Sequence, residues 1–226
     1  MFEFLREKEI ILEKEEELKL KNFESLLCEW NNKFNLTAIK NAEDIEIKHF
    51  QDSLMGERLF ENNKKVVEVG SGGGFPSIPL MIKREDLDFT LIESTGKKCE
   101  FLTMVVDKLK LKGKVINKRA EEVGKSNLRE SFDIVTARAV ASLNVLAEYC
   151  MPLIKVGGLF IAYKSVNDEL EKAKNAILTL GGEVINVYNY SLSKGAGDRV
   201  IYVIKKIKNT PSLYPRGNGK ERSKPL

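Results

Sequence analysis

The chain has 226 residues, 37 of them Lys or Arg and 33 Asp or Glu, for a formal net charge of +4. Hydrophobic residues are 42% and charged residues 31% of the total, against roughly 25% charged in ordinary globular chains. Periodic apolar content on this scale excludes a disordered chain, and the length suits one α/β domain with a small appendage.

The N-terminus, Met1-Phe-Glu-Phe-Leu-Arg-Glu-Lys-Glu, has no basic segment leading into an apolar one, so it does not read as a secretory signal. No run approaches the roughly 18–20 apolar residues of a membrane span. Cys28, Cys99 and Cys150 are scattered and odd in number, and His49 is the one histidine. That pattern predicts no disulfide framework and no structural metal, and it suits a reducing cytoplasm. Residues 1–30 carry five Lys or Arg against nine acids. Leu5, Ile10, Leu12, Leu18, Leu20, Phe23, Leu26, Leu27, Trp30 and Phe34 recur there at helical spacing. A second helix is predicted over Asp44–Phe60, after a break at Asn35-Leu36-Thr37.

From Lys64 onward short apolar runs alternate with amphipathic stretches. Strands are predicted at Lys65–Val69, Phe89–Ile92, Val115–Asn117, Phe132–Thr136 and Leu159–Ala162. Helices are predicted at Phe75–Lys83, Lys97–Leu109, Ser142–Ile154 and Asn167–Leu180. Two more strands, Glu183–Tyr190 and Arg199–Lys206, have no helix between them and should pair antiparallel at one edge. The expectation is an α/β doubly wound, mostly parallel seven-stranded sheet with an antiparallel edge strand and an N-terminal helical extension. After Lys206 the periodicity ends. The last 22 residues hold seven Lys or Arg and the single acid Glu221, so they alone carry a net +6. Domain boundaries follow: 1–62 helical, 63–207 the α/β domain, and 208–226 a basic tail.

The sharpest motif is Val66-Val67-Glu68-Val69-Gly70-Ser71-Gly72-Gly73-Gly74-Phe75-Pro76. An apolar strand ends in an acid and then turns on glycines, which allow a tight bend and close approach of a ligand. A dinucleotide fingerprint needs Gly where Phe75 stands. The spacing Glu68-x-Gly70-x-Gly72-x-Gly74 instead resembles the first motif of Rossmann-like methyltransferases that use S-adenosyl-L-methionine. Glu93 closes the next strand, where an acid can accept hydrogen bonds from ribose hydroxyls. Ala120 and Glu121, after the third strand, are placed to face an adenine.

Arg138 lies just past the fourth strand, in Thr136-Ala137-Arg138-Ala139. That tip lacks the Asn/Asp-Pro-Pro-aromatic element often associated with exocyclic amine methylation. Cys150 lies within a predicted helix, out of place for a C5 nucleophile. A guanine N7 already exposes a lone pair, so it needs no general base, and alignment alone can carry much of the catalysis. His49 and Asp52, three apart, share a helix face; a positioning role fits them better than an acid–base couple.

Several stretches together resemble one family: Trp30-Asn31-x-Lys33-x-Asn35-Leu36-Thr37, His49-Phe-x-Asp52-Ser53-Leu54, the Glu68–Pro79 turn and Glu93-Ser94-x-x-Lys97-Lys98. Arg119-Ala120-Glu121, Asp133–Ala141, Tyr214-Pro215-Arg216 and the ending Lys224-Pro225-Leu226 follow in order. The chain is similar to the bacterial 16S ribosomal RNA guanine-N7 methyltransferases, also called glucose-inhibited division protein B. The resemblance implies methyl transfer from S-adenosyl-L-methionine to one guanine of small-subunit ribosomal RNA; a cytoplasmic monomer is the separate expectation, with the RNA free, in a subunit or in an assembly intermediate. By motif it implies cofactor contacts from Gly70, Phe75, Ala120, Glu121 and Arg138, beside Gly72 and Glu93 from the residue argument. Arg199, Lys205, Lys206, Lys208, Arg216, Lys220, Arg222 and Lys224 are candidates for RNA phosphates. Two alternatives stand: an RNA- or ribosome-binding module with a vestigial pocket, and a nicotinamide enzyme.

Overall fold

The computed structural model describes residues 2–138, 140–166 and 169–226. Its sheet begins with five strands, β1 (Lys65–Val69), β2 (Asp88–Glu93), β3 (Gly113–Asn117), β4 (Phe132–Arg138) and β5 (Ile154–Ser165), of which β1, β2 and β4 are mostly buried. These five pair in parallel in the order β3-β2-β1-β4-β5. β1 and β2 are buried from their second residue onward, which is why they show no polar alternation. β7 (Asp198–Lys206) runs antiparallel to β5, and β6 (Gly182–Ser191) pairs antiparallel with β7 to close that edge. The seven strands and the antiparallel pair match the sequence expectation. The reversed strand, β7, sits one position in from the edge.

Side chains leave each strand alternately to two cores. Val66, Leu91, Ile134 and Ile161 meet α2 (Lys14–Asn31), α5 (Ser77–Lys83) and α6 (Gly96–Lys108) through residues such as Phe23, Ile78 and Phe101. Val67, Val69, Val135 and Ala137 face α7 (Ala120–Val123), α8 (Leu143–Cys150) and α9 (Glu169–Thr179). Fully burying each large aliphatic or aromatic side chain contributes roughly 1.5–3 kcal/mol. The N-terminal helices therefore belong to the core: Leu5 of α1 (Phe2–Glu7) and Leu20 and Leu27 of α2 are completely buried. α2 opens on a reciprocal cap in which Glu13 N–H donates to Glu16 at 2.7 Å.

Three local expectations differ. The helix predicted over 44–60 is broken into α3 (Ala42–Ile45), a π-helical turn at Glu46–Gln51, α4 (Asp52–Leu54) and a tight turn at Glu57–Leu59. Gly56 lies in that break because a Cβ there would meet the Tyr163 hydroxyl at 2.1 Å. α8 stops at Cys150, two residues before Pro152, and β5 begins already at Ile154. The start predicted for α9 at Asn167 lies outside the described residues.

The third difference concerns the expected basic tail. Residues 207–226 fold back along α7 and α8 and end in α10 (Lys220–Ser223). Arg129 donates to the carbonyls of Thr210 and Tyr214, both at 2.7 Å, and Arg216 pairs with Glu148 at 2.6 Å. Side chain-to-backbone bonds hold this arm in place, so no hydrophobic period announces it. Among the described residues no helix is long and apolar enough to cross a membrane.

Candidate functional site

The carboxyl ends of β1, β2 and β4 open into a cleft of about 410 Å³. Gly70, Gly72, Phe75, Glu93, Ala120, Glu121 and Arg138, the seven cofactor candidates, all line it. Gly70 and Gly72 have φ of +74° and +54°, a left-handed conformation that costs other residues about 1–2 kcal/mol. A Cβ on Gly70 would also come within 2.6 Å of Val140. Glu93 does more than close its strand. Its carboxylate accepts from Gly72 N–H at 2.9 Å and from Thr95 N–H at 2.8 Å, tying the turn to β2. A carboxylate has about four acceptor positions, so capacity for ligand hydroxyls is left.

Glu68, two residues before the turn, is fully buried and neither of its oxygens has a hydrogen-bond partner. Burial pushes its carboxyl up to about 7, against the opposing pull of the nearby Ser77 and Ser71 hydroxyls and the Arg138 charge. Ser71, itself on the cleft wall, has a buried and unpartnered Oγ.

The far wall comes from the π-helical turn and α4. Arg138 donates to Asp52 Oδ2 at 2.7 Å, to His49 Nδ1 at 2.7 Å and to the Lys48 carbonyl at 3.0 Å. A guanidinium has no acceptor, so Nδ1 carries the lone pair and the imidazole proton sits on Nε2, donated to Thr37 Oγ1 at 2.9 Å. Burial, reinforced by the Arg138 charge, lowers the His49 pKa to about 3. The neutral ring stacks on Phe75 with centroids 4.1 Å apart. Asp52 also accepts from the Tyr190 hydroxyl at 2.7 Å. The two residues predicted to share a face thus form one network around Arg138.

Beyond this wall lies a second chamber of about 350 Å³, at the ends of β4 and β5 and the start of β7. His49, Asp52 and Arg138 belong to its lining, and Lys164, Glu169 and Arg199 complete its charged side. Arg199 is the one RNA candidate placed there.

The other RNA candidates are dispersed. Arg199 pairs with Ser165 and Lys205 with Leu159, so six residues of β7, about 20 Å, separate them. Lys205, Lys206 and Lys208 therefore lie at the end of the sheet opposite the cleft. Lys206 is corrected outright: it is fully buried, donating to the Met151 carbonyl and Thr210 Oγ1 and paired with Glu130 at 3.1 Å. Burial lowers it to about 8 despite that acid. Arg216 is likewise committed to the buried Glu148 and cannot serve an RNA phosphate. Lys220, Arg222 and Lys224 are exposed on the arm, and Arg222 reaches the cleft. Thr37, Lys98, Lys118 and Tyr149 also line the cleft and are not among the residues expected there from sequence. Thr37 stands in one of the family stretches; Tyr149, inside an apolar helix, carries no signal.

A family model described as rRNA small subunit methyltransferase G matches residues 16–197. The chain belongs to this family. A ribosomal RNA small subunit methyltransferase G of Staphylococcus aureus strain bovine RF122 / ET3-1 is 43% identical, with 99% of this chain and 96% of the relative covered. The protein of strain JH9 gives the same figures. Among solved structures the likeness is one of fold. M. jannaschii TYW2 in complex with AdoMet has a TM-score of 0.58 at 16% identity, covering 70% of this chain and 76% of that one. The T. thermophilus 16S rRNA N2 G1207 methyltransferase in complex with AdoMet and guanosine has a TM-score of 0.50 at 16% identity, covering 73% and 40%.

As a methyltransferase G family member the chain has a cleft that suits S-adenosyl-L-methionine better than a dinucleotide. Pro76 and Pro79 remove two N–H groups from the start of α5, which a pyrophosphate would need. The acid Glu93, with acceptor capacity left over at the cleft wall, suits a ligand with ribose hydroxyls.

Proposed function

We propose that the protein transfers a methyl group from S-adenosyl-L-methionine to N7 of a guanine in small-subunit ribosomal RNA. The observation that carries this reading is the pair of chambers meeting at His49 and Arg138, within a chain of the methyltransferase G family. The first chamber takes the cofactor, with Gly70, Gly72, Phe75, Glu93, Ala120, Glu121 and Arg138 as its holding residues. The second takes the guanine. The bound cofactor supplies an electrophilic methyl on a sulfonium.

The chemistry asked of the chain is alignment. Methyl supply by the bound cofactor to an N7 lone pair would release no proton from the base, so the chain's residues would have only to align the two partners. His49 is neutral with both ring nitrogens engaged, and Asp52 holds Arg138 and Tyr190. Neither is available as a general base, and the reaction needs none. Phe75 and His49 stack as one wall of the cofactor chamber, which fixes the orientation of both rings. Arg199, Lys220 and Lys224 are the candidates for RNA phosphates, with Lys205 and Lys208 as more distant ones. Action as a monomer in the cytoplasm, on ribosomal RNA, belongs to the same proposal.

The test is transfer of a radiolabelled methyl group to purified ribosomal RNAs and subunits. Label should enter small-subunit RNA alone. Label in large-subunit RNA would contradict the small-subunit assignment, whereas RNA binding with neither cofactor binding nor transfer to any RNA or subunit would favour the binding-module reading instead.

A further inference from the structure

The charge of the C-terminal arm predicts that it meets RNA, yet one of its cations points elsewhere. Arg222 lines the 410 Å³ cleft, on the side where Ala120, Glu121 and Tyr149 lie. It also lines a neighbouring depression of about 670 Å³ that shares Arg119, Glu121 and Tyr149 with the cleft. Arg222 therefore stands between the two, as part of the wall they share. Tyr149 responds to it: burial raises the Tyr149 hydroxyl, and the nearby Arg222 guanidinium opposes that rise.

The arm is built to hold this position. Arg216 makes a forked pair with Glu148, from Nε at 2.9 Å and from the terminal nitrogen at 2.6 Å, and its own N–H donates to the same carboxylate at 2.8 Å. Glu148 is 1% exposed, so the pair is shielded from water and salt. Glu221, next to Arg222, is fully buried and accepts from Gly217 N–H, fixing the loop that leads into α10. Lys125 donates to the Arg216 carbonyl at 3.0 Å. An arm serving only as a flexible polyanion binder would need none of these buried anchors.

We infer that the C-terminal arm is a strap that completes the cofactor cleft, and that Arg222 is a cofactor-holding residue at its adenosine end. The inference rests on the proposed cofactor reading of the cleft. A planar guanidinium suits a purine by cation–π contact or by donation to ring nitrogens, which an ammonium serves less well.

Calorimetric titration of the full chain with S-adenosyl-L-methionine and with S-adenosylhomocysteine tests this, comparing the wild type with Arg222→Ala and Arg222→Lys. Arg222 is exposed, so both variants should fold, and their melting temperatures check that they do. The expected result is a roughly 5- to 30-fold weaker Kd in R222A for both ligands, only partly restored in R222K. Equal weakening for both ligands places the contact away from the sulfonium. Wild-type affinity in R222A would overturn the inference alone. A wild-type chain that binds neither ligand would overturn the cofactor reading beneath it.

Discussion

Because the Arg138 guanidinium can only donate, its 2.7 Å contact fixes His49 as an acceptor at Nδ1 and removes the ring from proton transfer near neutral pH. The folded pKa of about 3 lies below the ordinary value of 6.5, so the unfolded chain binds the proton first as pH falls. Stability from this group is therefore complete above about pH 6.5 and declines as the pH drops toward about 3. At about pH 5 the wild type should be roughly 2 kcal/mol less stable through His49 than at about pH 7.5. Thermal melts of His49→Phe should show a shallower acid slope, and equal slopes would contradict the assigned neutral state. Glu68 acts in the opposite sense. Its folded pKa of about 7 is above the usual 4.5, so its contribution favours the fold at low pH and is lost as pH rises through 7. Glu68→Gln should consequently raise the melting temperature more at about pH 8.5 than at about pH 5. A uniform shift would contradict the buried, unpartnered placement.

At the scale of elements, the β1 turn and the end of β2 work as one unit. Glu93 accepts two backbone N–H groups and still faces the cleft, so its removal loosens the turn while deleting a ligand acceptor. Glu93→Ala should weaken S-adenosyl-L-methionine binding roughly 10- to 100-fold, the worth of one or two hydrogen bonds to a charged group. Calorimetry checks this, and a change of less than about threefold would argue against a ligand role. The residue's place at a strand end in the β-α-β grammar is readable in the sequence, as is the positive-φ turn, because glycine and strand chemistry are local. The tether from Gly72 to Glu93 is not, since it spans 21 positions and depends on parallel pairing. The break of the second helix into a π-helical turn is hidden for a similar reason. It is set by packing against Tyr163 and Arg138, more than 80 residues away.

Across the whole molecule, the net +4 is distributed unevenly, and linear proximity misjudges where the charges go. Seven cations within 22 residues look like one patch. Folding sends Lys205 and Lys208 to the end of the sheet away from the cleft, buries Lys206, and commits Arg216 to Glu148. Truncating the arm would thus remove packing together with charge, and single substitutions are the cleaner probe. Lys220→Ala and Lys224→Ala should each flatten the salt dependence of RNA affinity, by roughly 0.7–0.9 in the log–log slope for each phosphate no longer neutralised. Lys206→Met should lower the melting temperature and leave that slope alone. A flattened slope for Lys206→Met, or none for the exposed pair, would contradict this partition.

Base-free alignment of a guanine N7 with a methyl donor leaves its signature in the position of the transferred methyl group. Small-subunit RNA methylated by the protein is reduced and treated with aniline, which breaks the strand at N7-methylguanine. One new break is expected, at a guanine, in step with incorporated label. Label that accumulates without strand breakage, on an exocyclic amine or a ring carbon, would refute the N7 assignment and with it the absence of a base.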